Sequence, residues 1–168
     1  MIIEILDDKV IIDGITFLKQ IVKQFTLSNK SIEKMQGVHP RLVDVIKKAI
    51  VNSPYDFLIT YGVRTAAEQN KLYQQGRTIP GIIITRCDGY INKSNHQKKK
   101  DGYGYAVDFA IYDKTKQGNI DWNSTEKYIA VANHIIEVAK QNGLIVESGG
   151  NWTKFKDYPH IELKGVIK

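Results

Sequence analysis

Apolar and polar positions along the chain alternate between two periods, and the alternation predicts an interleaved set of helices and strands. Residues 2–12 alternate about Asp7-Asp8 and predict a short β-hairpin. Ile15, Leu18, Ile21, Val22 and Phe25 then recur at helical spacing, which predicts a helix. Ser28 and Ser31 are candidate N-caps for a short second helix. HPRLVDVIKKAIVNS is the clearest helical segment, with Leu42, Val45, Ile46, Ala49 and Ile50 on one face and Ser53-Pro54 as its stop. YDFLITYGV reads as a strand ending at Gly62. TAAEQNKLYQQG reads as a helix with a Thr65/Glu68 capping box and Gly76 as its terminator.

From Arg77 to Gly102 turn-forming and polar residues dominate, with GIIIT expected as a short strand or loop core. AVDFAIYD is a strand, KTKQGNIDW a turn, and STEKYIAVANHIIEVAKQNG a long helix closed by Gly143. LIVESGG and HIELKGV are the last two strands. Repeats and low-complexity runs are absent. The crossovers are too irregular for a parallel βαβ sheet, so the expected fold is one α+β domain with a mainly antiparallel sheet.

Composition narrows the class. At 168 residues, 42% hydrophobic and 25% charged, the chain suits one globular domain with its own core. A single cysteine, Cys87, excludes an internal disulfide and a cysteine-built zinc site. The N-terminus lacks the basic, apolar and small-residue regions of a secretory signal, and no run is long enough for a membrane span. The expectation is a protein made soluble in the cytoplasm. The net charge of +6 favours anionic partners. Its densest cluster, Lys98–Lys100, has no interleaved aromatics of the kind that stack bases, so nucleic acid is not the expected partner.

Three residues read as a zinc site: His96, Asp108 and His160. Zinc accepts imidazole nitrogen and carboxylate oxygen, and a catalytic site keeps a fourth position open for water. Asp108 interrupts an otherwise apolar strand, where a buried carboxylate needs a metal or a cation as partner. His39, before a proline, is expected to help start a helix, and His134 falls inside the long helical run as a surface or core residue. Asp157, three residues before His160, is the candidate base. Glu162 shares His160's side of a strand and is either a partner to the ligands or a rival base.

At these residues the chain resembles the zinc-dependent peptidoglycan peptidases, a family of D-alanyl-D-alanine carboxypeptidases and of L-alanyl-D-glutamate endopeptidases used by phages as endolysins. The family's Ser-x-His, Gly-x-Ala-x-Asp and acid-x-x-His elements correspond to Ser94-Asn95-His96, Gly104-Tyr105-Ala106-Val107-Asp108 and Asp157-Tyr158-Pro159-His160. SPYDFLITYGVRTAAEQNKLYQQGRT and GVHPRLVDVIKKAI resemble its upstream strand, arginine and helices. His96 and Asp108 stand twelve residues apart, farther than the family's usual spacing, with the extra residues around KKKDG. A longer loop beside an intact site is expected, because loop insertions cost little.

The resemblance implies a hedgehog/D-Ala-D-Ala-peptidase-like fold, a Zn2+ cofactor and peptidoglycan as partner. It implies a catalytic domain over residues 28–168, preceded by a hairpin-and-helix extension at 1–27. Asp157 is then the general base, and Arg64 stabilises the polarised carbonyl or a substrate carboxylate. Ser94 hydrogen-bonds substrate or fixes its loop, Gln69 lines the cleft, and Trp152 packs beside it. The missing export signal fits a monomeric phage endolysin that waits in the host cytoplasm until release to the wall and cuts L-alanyl-D-glutamate. A D-alanyl-D-alanine carboxypeptidase and a non-catalytic zinc-stabilised binding module are the alternatives.

Overall fold

The computed structural model describes residues 24–167 and, of the N-terminal stretch, the backbone of three strands. These are β1 (Ile3–Leu6), β2 (Lys9–Ile12) and β3 (Ile15–Leu18), an antiparallel three-stranded sheet. The expected hairpin is present, with Leu6 opposite Lys9. The expected helix from Ile15 is not: Ile15 pairs with Ile12, and Asp13-Gly14 is a dipeptide suited to joining hairpin strands. Apolar residues at 15 and 18 fit either period in so short a window. Gln24–Ser28 is irregular, so the helix does not reach Phe25 either; residues 19–23 lie outside the described residues.

Among the described residues four α-helices follow. Ser28 caps α1 (Asn29–Lys34) by accepting from the Ser31 amide at 3.2 Å. Ser31 is buried, and its hydroxyl accepts from the Ile59 amide at 3.1 Å, joining the helix to the sheet. His39 begins α2 (Pro40–Val51), its Nδ1 accepting from the Arg41 amide at 3.3 Å. Strand β4 (Phe57–Tyr61) leads to α3 (Ala66–Gln74), which carries the complete Thr65/Glu68 capping box. After the long loop come β5 (Ala106–Tyr112), β6 (Ile120–Asp121), α4 (Thr125–Gln141), β7 (Leu144–Ser148) and β8 (His160–Val166). Ser124 does not cap α4 with its side chain; its hydroxyl donates to Asp121 at 2.6 Å, and Asp121 also receives Lys127 at 2.8 Å.

The main sheet is antiparallel throughout, in the order β4-β5-β8-β7, with β6 paired to the far end of β5. Helices α2 and α4 cover one face, where Leu42, Val45, Ile46, Val131 and Ile135 meet Phe57, Phe109 and Ile161. Phe109 is wholly buried between Phe57 and Tyr128, at centroid distances of 5.8 and 5.3 Å. His134 ties α4 to α2 by donating from Nε2 to the Ala49 carbonyl at 3.0 Å. Among the described residues no helix is long and apolar enough to cross a membrane.

Candidate metal centre and cleft

Strand alternation sets the site. On β5, Val107, Phe109 and Ile111 enter the core, so Asp108 faces the other side. On β8, Ile161 and Leu163 enter the core, so His160 and Glu162 share Asp108's side. The register puts Asp108 opposite His160 and Ala106 opposite Glu162, and residues directly opposite across a ladder point the same way. Two of the expected ligands are thus cross-strand neighbours. The third comes from a loop.

His96 sits in a turn in which the Gln97 amide donates to the Ser94 carbonyl at 3.0 Å and the His96 amide to Ser94 Oγ at 3.3 Å. The His96 carbonyl accepts from the Arg64 amide at 3.0 Å, which joins this turn to the end of β4. The ring donates from Nδ1 to the Gly62 carbonyl at 2.7 Å. A carbonyl can only accept, so the proton is on Nδ1 and the Nε2 lone pair is left for a metal. Gly62 must be glycine at this approach, because a Cβ there would lie 2.0 Å from the Lys34 carbonyl oxygen. The extra residues around KKKDG fold outward as a turn, with the Lys99 amide bonded to the Tyr103 carbonyl at 2.9 Å and Lys98–Lys100 exposed. His96 itself is 2% exposed, with its Nε2 3.1 Å from Asp108 Oδ1.

The three donor atoms form a nearly equilateral triangle. His96 Nε2 and His160 Nδ1 each lie 3.1 Å from Asp108 Oδ1, and the two nitrogens are 3.2 Å apart. Tetrahedral zinc with ligands at about 2.0–2.2 Å requires donors separated by about 3.3–3.5 Å, so the residues fit the ion with only small adjustment. His160 donates from Nε2 to Glu162 at 3.1 Å, which turns its Nδ1 toward the triangle. Both imidazoles therefore have their second nitrogen tied to an acceptor, the support that metal-binding histidines receive.

Electrostatics separates the two acids that compete for the role of base. Burial pushes Glu162 up, but hydrogen bonds from His160, Asn95 and Lys164 outweigh it and bring its pKa to about 2. Its carboxylate is 5% exposed and fully engaged, with Asn95 Nδ2 at 2.6 Å and Lys164 Nζ at 2.9 Å. Asp157 behaves in the opposite way: burial raises its pKa, and the negative charge of Asp108 adds to the rise. Among the described residues only its backbone is tied down: its amide donates to the Gly149 carbonyl at 3.0 Å, and its carbonyl accepts from the His160 amide at 3.2 Å. Gly149 leaves the room for this, since a Cβ there would stand 2.5 Å from the Asp157 carbonyl oxygen.

Burial also opposes ionisation of Asp108, yet hydrogen bonds from His160 and His96 overcome it and hold the carboxyl well below the usual range. Burial would depress His160, but bonds to Asp108 and Glu162 push its pKa up to about 9.

Arg64 lies behind Asp108. Its Nη2 donates to Asp108 Oδ2 at 3.3 Å, Nη1 donates to Gln69 Oε1 at 2.8 Å, and the guanidinium covers the Tyr61 ring at 4.5 Å. Each Nη retains a second N–H. Gln69 is fully buried, contrary to its expected place on the cleft wall. Its amide donates to Thr85 Oγ1 at 3.1 Å and the Cys87 carbonyl at 2.9 Å, so it fastens Arg64 to the 85–87 loop. A polar amide in the middle of a helix looks the same in sequence whether it faces a cleft or a buried arginine.

Ser94, Asp157 and Trp152 do line the cleft, with the Trp152 ring 5.0 Å from His160. The cleft has a volume of about 860 Å3 and also takes in Ile82, Ile83 and Trp122. The sequence reading missed Asn95 and Trp122. Asn95 lay inside the Ser-x-His element, and Trp122 reaches the cleft only because β6 pairs with β5.

The class follows from the donor set and its tied imidazoles: two histidines and an aspartate placed so that they could hold a metal ion, with a further carboxylate lining the same cleft. The chain belongs to the phage L-alanyl-D-glutamate peptidase family, whose model matches residues 23–167. It is 40% identical over 126 residues to the peptidoglycan L-alanyl-D-glutamate endopeptidase CwlK of Bacillus subtilis, covering 71% of this chain and 68% of that one. It is 31% identical over 140 residues to the L-alanyl-D-glutamate peptidase of Escherichia phage T5, covering 83% and 90%. The crystal structure of the Serratia marcescens L-Ala D-Glu endopeptidase ChiX superposes with a TM-score of 0.61 at 28% identity, covering 86% of this chain and 94% of that one.

Proposed function

We propose that this chain is a zinc-dependent peptidoglycan peptidase that hydrolyses the amide between L-alanine and D-glutamate in stem peptides. The observation that carries the reading is the His96–Asp108–His160 triangle, matched in size to zinc and flanked by Asp157 in an open cleft, in a chain of this peptidase family. Zinc held by these three residues would supply Lewis acidity and make water acidic enough to attack near neutral pH. Asp157, free of side-chain partners among the described residues, takes the proton of the attacking water and returns it to the leaving amine. The Nη hydrogens of Arg64 not used by Gln69 and Asp108 would polarise the substrate carbonyl. Glu162 and the Gly62 carbonyl orient the two imidazoles, and Ser94 holds the His96 turn. All of these groups come from one chain, so the reading needs no second copy.

The test is digestion of purified peptidoglycan, with metal analysis of the protein and identification of the new amino termini by mass spectrometry. One zinc per chain, new D-glutamate amino termini, falling turbidity and loss of lysis on chelation are expected. Release of free D-alanine with the mesh intact would mean a carboxypeptidase. Bound zinc with no cleavage would mean a binding module.

A further inference from the structure

Arg86, Lys93 and Lys156 all line the cleft that holds the metal triangle. All three are exposed, and none has an acidic partner among the described residues. The three acidic residues of the cleft form no ion pair with them: Asp108 is held by the two histidines and Arg64, Glu162 by His160, Asn95 and Lys164, and Asp157 pairs with no cation among the described residues.

Each cation is adjacent in the chain to a group fixed at the site. Lys93 precedes Ser94, which holds the His96 turn. Lys156 precedes Asp157, and its ammonium donates to the Gly150 carbonyl at 3.2 Å. Arg86 lies between Thr85 and Cys87, both bonded to the Gln69 amide behind Arg64. Three cations without an acidic partner among the described residues therefore line the same cleft as the metal triangle, from three separate loop segments.

Resting on the function proposed above, we infer that these cations form a carboxylate subsite that reads the free carboxylate of the substrate's D-glutamyl residue. A glutamyl residue has two carboxyl groups and only one continues the chain. The other remains ionised, a few bonds from the scissile nitrogen. Guanidinium and ammonium groups bind a carboxylate through charge-assisted hydrogen bonds, which a primary amide at the same position cannot reproduce. The enzyme should thus distinguish an acidic stem peptide from one amidated at that carboxyl.

The experiment compares two synthetic N-acetylated L-alanyl-D-glutamyl-L-lysine peptides with blocked C-termini, one with the glutamyl carboxylate free and one with it amidated. Each is cleaved by the zinc-loaded full chain and by Arg86→Gln, Lys93→Gln, Lys156→Gln and the triple variant. The wild type should favour the acid by about tenfold or more in kcat/KM, the size expected for a charged hydrogen bond. That ratio should fall in at least one single variant and approach one in the triple variant, with zinc content and melting temperature unchanged. If the triple variant does not fold, the single variants supply the answer. A wild-type ratio near one, or a ratio the variants leave unchanged, overturns the subsite while leaving the peptidase reading intact. Failure of the wild type to cleave either peptide between alanine and glutamate overturns both.

Discussion

Replacing Glu162 with glutamine isolates the orienting carboxylate from the base. Glu162 accepts from His160 Nε2 at 3.1 Å, Asn95 at 2.6 Å and Lys164 at 2.9 Å. Glutamine keeps one acceptor oxygen for His160 but turns an NH2 toward Lys164, setting donor against donor. Lys164 is half exposed and also pairs with Glu147 at 3.0 Å, so it can swing away at small cost. The main loss is the negative charge that polarises His160 and keeps its Nδ1 turned toward the donor triangle. Loss of such a partner lowers metal affinity about 10–100-fold, or about 1.4–2.7 kcal/mol. Zinc titration against a competing chelator should show this weakening, and turnover should be largely restored at saturating zinc. Asp157→Asn should do the reverse: zinc affinity is retained and the rate falls by roughly 10²–10⁴. If Glu162→Gln with a full complement of zinc were inactive while Asp157→Asn turned over normally, the two roles would have been assigned the wrong way round.

Gly149→Ala should keep the fold but displace Asp157 and His160, whose Cβ atoms would each lie 3.0 Å from the new methyl; a shift approaching 1 Å costs up to about 10²-fold in kcat. Phe109→Ala empties the centre of the core and should cost about 3–5 kcal/mol in urea unfolding, against about 0.5 kcal/mol or less for an exposed control site such as Lys100. In the metal-free protein, His160 titrates near 9 rather than its ordinary 6.5. A pKa raised by folding stabilises fully below about 6.5, and the contribution disappears as pH rises through about 9. Melting temperature of the apoprotein should therefore fall across that window, and zinc added at pH 7 should release close to one proton from His160, measurable in weak buffer. A flat apoprotein profile with no proton release would contradict the assigned network.

Much of the candidate site could be read from local sequence because the chemistry demands rare residues in unusual places. Asp108 stood out as a carboxylate in a strand otherwise fit for the core, and the two-residue period of that strand already implied that it faced away from Val107 and Phe109. Helix limits were equally local: the Thr65/Glu68 box, Pro40 after His39, and Gly143 after α4 act within a turn or two of chain. The N-terminal misreading has the same origin, since the four residues of β3 carry too few apolar positions to choose a period. Which strand lies beside which cannot be read in this way, because pairing depends on contacts distant in sequence. The β5–β8 register, His160 against Asp108, is one such contact, and it makes two ligands into neighbours. Burial is another long-range sum: it separates Asp157, raised and unpaired, from Glu162, lowered and engaged, though both are acids close to His160. Gln69 and Trp122 exchange their expected prominence for the same reason, one covered by the 85–87 loop and the other brought to the cleft by β6. Local order follows from the covalent chain and its periodicity, whereas the charge state and accessibility of each acid depend on which distant segments exclude water from it.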